Sequence, residues 1–212
     1  AHAAGINLSS HNTLEVRLAE LIAARFPSMD LVRFTNSGTE ANLMAVSLAR
    51  IATGRARIVV FRGGYHGGLL SFGGGGAPVN APYDFLVLPY DDTEAVRAAF
   101  AAHGGEIAAV LVEPMLGAGG CHPASPAFLR ELRALTAAAG SLLIFDEVQT
   151  ARMGEGGMQA RLGIVPDLTT VGKFFGGGLA FGCFGGRRDI MERLDPRRPD
   201  AVGHAGTFNN NT

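Results

Sequence analysis

The stretch "IAAVLVEPMLGAGGCHPASPAFLRELRALTAAAGSLLIFDEVQT" (107–150) decides the fold. It opens with an apolar run, "IAAVLVEP" (107–114), and closes with another, "LLIFDEV" (142–148), and both run into acids. Unbroken apolar runs of this length, too short for a helix, mark strands buried on both faces. Residues 125–139 between them carry a helical pattern. Strand, helix and strand in this order form a crossover unit, which is how two parallel strands are joined.

The same alternation extends outward in both directions. Upstream, a helix is expected over 13–26, with Leu14, Leu18, Leu21, Ile22 and Arg25 on one stripe and Asn12 or Thr13 as cap. "LVRFT" (31–35) reads as a strand, 39–53 as a helix with Gly54 just past its end, and "RIVVF" (57–61) as a buried strand. "FLVLP" (85–89) is a strand and 93–103 a helix; downstream, "LTTVG" (168–172) and "AFGCFGG" (180–186) are strands. The expected fold class is α/β: a mainly parallel sheet with helices on both faces. In such sheets ligands sit at the carboxyl ends of the strands, so the polar residues there are the functional candidates.

Composition excludes several classes. The 212 residues are 47% hydrophobic and 17% charged, as suits one α/β domain with a sizeable core over 1–212. A formal net charge of −1 gives no electrostatic case for nucleic acid or an anionic membrane. No apolar run approaches the ~20 residues that span a bilayer, and no stretch resembles a signal peptide. Cys121 and Cys183 lie far apart outside any C-x-x-C pattern, which makes a reducing cytoplasmic setting the expectation. His2, His11, His66, His103, His122 and His204 show no metal-ligand spacing, so no metal site is expected. The opening "AHAAGINLSS" lacks methionine and the closing "TFNNNT" breaks off within a motif, so truncation at both ends is expected.

Five strand ends carry chemistry. In "FTNSGTEAN" (34–42), Ser37, Gly38 and Thr39 stand between a strand and a helix, where free N–H groups, two hydroxyls and the helix dipole favour an anion such as phosphate. The plainer alternative is a helix N-cap. Neither the P-loop nor the G-x-G-x-x-G fingerprint is present. "GGYHGG" (63–68) sets Tyr65 and His66 on a glycine-flanked loop, where an aromatic can cover a planar ligand or simply lie in a surface turn. "VEPM" leaves Glu113 at a strand end near these groups. Asp146 follows four apolar residues, and a buried carboxylate needs a partner: a protonated ring nitrogen, an arginine or a magnesium ion.

Lys173 is the only lysine in a chain with 18 lysines and arginines. Set after an apolar strand in "LTTVGKFFGGG" (168–178), it is expected to be desolvated, which lowers its pKa and frees the amine as a nucleophile. Arginine cannot serve this way, because its guanidinium stays protonated. A surface lysine that merely snorkels is the alternative. Gly172 and the glycines at 176–178 are expected to let the backbone pass close to the ligand. A phosphate, a ring, a ring nitrogen and an aldehyde are all carried by pyridoxal 5′-phosphate, which is the expected cofactor.

On "TNSGTEAN", "GGYHG", "VEP", "FDEVQT", "GKFFGGG" and the closing "GTF", the chain resembles the class III aminotransferases, of fold type I among pyridoxal-phosphate enzymes. The resemblance implies that Lys173 carries the cofactor as a Schiff base and that Asp146 keeps its ring nitrogen protonated. It further implies that Gln149 bonds the ring hydroxyl, that Tyr65, beside His66, stacks on the ring, and that Ser37, Gly38 and Thr39 bind the phosphate. Thr207 would reach the active site of a neighbouring subunit, making the protein a homodimer. An N-terminal segment and a C-terminal small domain would lie outside this sequence. Within the family, "HAGTFNNN" and "GKFFGGGLAFGCFGG" look like β-amino acid aminotransferases of the β-phenylalanine type. Glutamate-1-semialdehyde aminomutases are similar but usually carry proline where Ala180 and Phe181 stand. The implied activity is transfer of an amino group from an amino acid to a 2-keto acid, with the aminomutase and a catalytically silent fragment as alternatives.

Overall fold

A computed structural model describes residues 13–209. The elements, in chain order, begin with α1 (Thr13–Arg25), β1 (Leu31–Thr35), α2 (Gly38–Thr53), β2 (Arg57–Phe61) and β3 (Asp84–Leu88). They continue with α3 (Thr93–His103), β4 (Ile107–Val112), the two-residue strands β5 (Met115–Leu116) and β6 (His122–Pro123), α4 (Pro126–Ala139) and β7 (Leu142–Asp146). The last are α5 (Gly157–Leu162), β8 (Leu168–Gly172), β9 (Gly182–Gly186) and α6 (Arg188–Met191). Every long element lies within a few residues of where the sequence pattern sets it. The β5–β6 hairpin, α5 and α6 are too short to register as periodic runs.

Seven strands form one sheet in the order β1-β9-β8-β7-β4-β2-β3. Neighbours from β8 through β3 are parallel, and β9 is antiparallel to both β8 and β1. Six strands therefore end at the same edge of the sheet, which gathers the residues that follow β1, β2, β4, β7 and β8.

Strand parity then sorts side chains between two layers. Ile58, Val60, Ala109, Leu111, Leu142 and Ile144 pack with Ala41, Ala45, Val46 and Ala49 of α2. Val59, Phe61, Val110, Val112, Leu143 and Phe145 pack on the other face with Phe100 of α3 and Phe128, Leu129 and Leu132 of α4. Covered on both sides, the central strands can be apolar throughout. Residue 146 shares parity with 142 and 144, so Asp146 turns toward α2.

Caps set the helix ends. The Ser37 hydroxyl accepts from the Glu40 amide at 3.2 Å, and the Glu40 carboxylate accepts from the Asn36 amide at 2.7 Å, a reciprocal lock on the start of α2. Asp92 and Ser125 cap α3 and α4 with side chains that accept from the Ala95 and Phe128 amides. The predicted stripe on α1 is only half right. Ile22 is buried and Leu18 packs beside it, but Leu14 and Leu21 are 44% and 60% exposed. The helix meets the rest of the described chain along a narrow seam. The proposed Asn12 cap, His2 and His11 lie outside the described residues.

Candidate functional site

A cavity of about 130 Å³ opens at the carboxyl edge of the sheet. It is lined by Gly38 and Thr39 from the start of α2, Tyr65 and His66 after β2, Asp146 at the end of β7, Gln149, and Lys173 after β8. Seven of the nine residues given catalytic or cofactor-binding roles from sequence thus meet in one place, and Glu113 lines it as well. Ser37 borders it as the cap of α2. Thr207 does not line it. That residue is exposed in a separate groove beside β1, on a tail held by the Arg33–His204 and Asn36–Asn209 hydrogen bonds.

Asp146 is 3% exposed and is held by three close donors. Its Oδ2 accepts from Asn42 Nδ2 at 2.9 Å and from His66 Nδ1 at 2.8 Å. Its Oδ1 accepts from the Val148 amide at 3.0 Å. Thr170, paired with Asp146 across the β7–β8 register, donates to Asn42 Oδ1 at 2.8 Å and so orients the amide that holds the acid. None of the arginines reaches Asp146 among the described residues, which leaves the acid free to pair with a ligand cation. His66 is buried, lines the cavity and also holds Asp146 through Nδ1. Asn42 and Thr170 were not assigned roles from the sequence. Their signals were a polar residue one helical turn after Thr39 and a threonine inside a fully buried strand.

The neighbouring acid has a different fate. Parity turns Glu147 away from α2, where it accepts from Thr150 Oγ1 at 2.7 Å and from the Met158 and Gln159 amides at 2.9 Å. It is fully buried and caps α5. Only one of the two adjacent acids belongs to the cavity.

Lys173 contrasts with the desolvated amine expected from its sequence setting. β8 is buried through Gly172, but Lys173 stands exposed at the rim. Its φ of 51° places a non-glycine residue in the left-handed region, a conformation concentrated at functional sites. The side chain has no hydrogen bond or ion pair among the described residues. Phe175, two residues on, packs into the cluster of Ile22, Phe26 and Phe181, which fixes the turn from behind. A Cβ at Gly172 would sit 3.5 Å from Gly38 N, so the Lys173 segment passes directly beside the start of α2. Gly176 has another reason: a Cβ there would come within 2.7 Å of Phe181 Cβ.

The amides of Gly38 and Thr39 lack acceptors among the described residues and lie at the positive end of a 16-residue helix. Gly67, at φ 121°, closes down on this corner, where any side chain would overlap Thr39. Glu113 is 5% exposed; burial above all holds its carboxyl above the usual range, against an opposing pull from His66 and with a smaller push from the Asp146 charge. Among the described residues no cluster of three or more His, Cys, Asp or Glu is arranged to hold a metal ion. No described helix is long and apolar enough to cross a membrane.

The family described as aminotransferase class-III matches residues 5–212. A β-phenylalanine transaminase of Variovorax paradoxus is 58% identical over 98% of this chain and 48% of its own length. A crystal structure of a β-phenylalanine aminotransferase from Variovorax paradoxus superposes with a TM-score of 0.95 at 57% identity, covering 98% of this chain and 48% of that one. A glutamate-1-semialdehyde 2,1-aminomutase of Thermomicrobium roseum is 52% identical over 93% of this chain and 49% of that protein. The chain spans about half the length of the curated relatives it matches.

Proposed function

This chain belongs to the class III aminotransferases, and on that premise we propose that the protein carrying it transfers an amino group from an amino acid to a 2-keto acid, using pyridoxal 5′-phosphate. One observation carries the reading. A buried Asp146 oriented by Asn42 and His66, and a Lys173 unpaired among the described residues, face one cavity beside the open N-terminus of α2. These residues fit the group: free amides and hydroxyls for its phosphate, a carboxylate for its ring nitrogen and an amine for its aldehyde.

When bound, the cofactor supplies an aldehyde carbon that joins amines and a ring that draws off the electrons of a breaking bond. The chain does the rest. The Gly38 and Thr39 amides with the Ser37 hydroxyl would hold the phosphate. Tyr65 would cover the ring, and Gln149 would face its hydroxyl. Asp146, fixed by Asn42 and His66, would hold a proton on the ring nitrogen. Lys173 Nζ would be the point of attachment for the aldehyde and, when free of it, the base for the proton on the donor's amine-bearing carbon. Its exposure and lack of partners suit a group that must leave and return.

A β-amino acid is the proposed donor, on the likeness to the β-phenylalanine transaminase. The protein is further proposed to be a homodimer in which Thr207 completes the partner's phosphate site. This rests on the family and on the position of Thr207 outside its own cavity. A cytoplasmic location is proposed on the two free cysteines. The proposed division treats 1–212 as the cofactor-binding large domain.

The test is to give the purified protein β-phenylalanine with 2-oxoglutarate and, separately, glutamate-1-semialdehyde alone. Glutamate formed in the first mixture is the expected result. Isomerisation in the second with no glutamate in the first would replace this reading with the aminomutase.

A further inference from the structure

Glu113 is the one cavity-lining acid that the transfer reaction leaves without a task. It follows β4 and is buried without an ion-pair partner among the described residues. Its two oxygens serve two different loops. Oε2 accepts from the Tyr65 amide at 2.9 Å, in the loop after β2. Oε1 accepts from the Gly117 amide at 3.0 Å, in the loop after β4. A Cβ on Gly117 would sit 3.3 Å from Glu113 Oε1 and 3.5 Å from Gln149 Cγ, so this second loop packs against Gln149 as well. Tyr90, whose hydroxyl donates to the Glu113 carbonyl at 2.9 Å, fixes the backbone from behind.

The residue type is the informative point. Burying a carboxylate without a cation is costly, and a glutamine of the same shape would avoid that cost. A glutamine, however, has one acceptor oxygen and one NH₂ group. Two backbone N–H donors on two separate oxygens require a carboxylate. We propose that Glu113 is a positioning residue that ties the Tyr65 loop and the Gly117 loop to one wall of the cavity, setting where Tyr65 and Gln149 meet the cofactor. It holds the cavity's shape and moves no proton of the substrate. This rests on the cofactor reading above for its consequence, though not for the clamp itself.

The experiment has two arms. In the first, amide hydrogen exchange is followed on the cofactor-free protein. Tyr65 and Gly117 are expected to exchange far more slowly than Gly73 and Gly74, whose amides have no acceptor among the described residues. Equal rates would overturn the clamp without any variant being made, and whatever the cofactor proves to be. In the second arm, Glu113→Gln and Glu113→Asp are compared with the parent. Glu113→Gln should lose protection at Tyr65 or Gly117 and release pyridoxal phosphate about tenfold more readily, the effect of one lost hydrogen bond. Glu113→Asp, which keeps both acceptors on a shorter arm, should fall between. Unchanged protection and cofactor affinity in Glu113→Gln would overturn the proposal. So would lost turnover with both unchanged, because that marks a proton-transfer group. A parent protein that binds no pyridoxal phosphate would instead defeat the cofactor reading and leave the exchange arm standing.

Discussion

Asp146 and Lys173 face the same cavity under opposite conditions. The acid is 3% exposed and held by Asn42, His66 and the Val148 amide. The amine is exposed and touches no partner among the described residues. The rear wall is rigid by construction, since the carboxylate sits at the end of a fully buried strand and its donors come from α2 and the loop after β2. The rim is anchored only through its backbone turn and Phe175. The contrast matches the two duties proposed for these residues. A charge that must keep a proton on a ring nitrogen works best when already oriented, because no reorganisation is then needed during reaction. An amine that must attach, depart and return works best with its tip unencumbered.

The contrast breaks most severely if the rear wall is neutralised. Asp146→Asn keeps the size of the side chain but removes its charge. Turnover should fall by about 10²–10³-fold, the usual cost of losing a preorganised electrostatic group. Cofactor attached to Lys173 should persist, visible in the absorbance spectrum. Steady-state kinetics within a few-fold of the parent would mean that the orientation of Asp146 is irrelevant to the chemistry.

A milder change sharpens the comparison. Asn42→Ala removes one donor from Asp146 and the acceptor of Thr170 while leaving the charge in place. Unfolding in urea should show a loss of about 1–3 kcal/mol, the range for a buried polar group left unsatisfied. Turnover should fall by roughly tenfold or less, well short of the loss from Asp146→Asn. Stability equal to that of the parent would show that the network at the rear wall is not what holds the acid.

How much of this was legible beforehand depends on which physical signal a residue leaves. The alternation of apolar runs with helical periods located the long elements, and "LLIFD" (142–146) even contained the parity that aims Asp146 at α2. Local spacing could not show that β9 runs antiparallel, since strand direction is settled by partners far away in sequence. It extended β7 to Val148, because an apolar residue looks like strand even where its amide folds back onto Asp146 Oδ1. It picked out Asp146 but gave Glu147 no role, although that acid is fully buried and accepts from the first amides of α5. The expected desolvation of Lys173 failed for a related reason: a buried strand says nothing about the residue one step past its end. Asn42 lay inside a recognised motif, but only the assembled sheet shows that its amide meets an acid 104 residues later.

The central claim is that Lys173 Nζ is the group that carries the cofactor. The most direct measurement is to incubate the protein with pyridoxal phosphate, reduce it with borohydride, and map the labelled peptide by mass spectrometry. The account predicts a label on the peptide containing "LTTVGKFFGGG" (168–178) and none in Lys173→Ala. Label on another residue, or its persistence in Lys173→Ala, would contradict it.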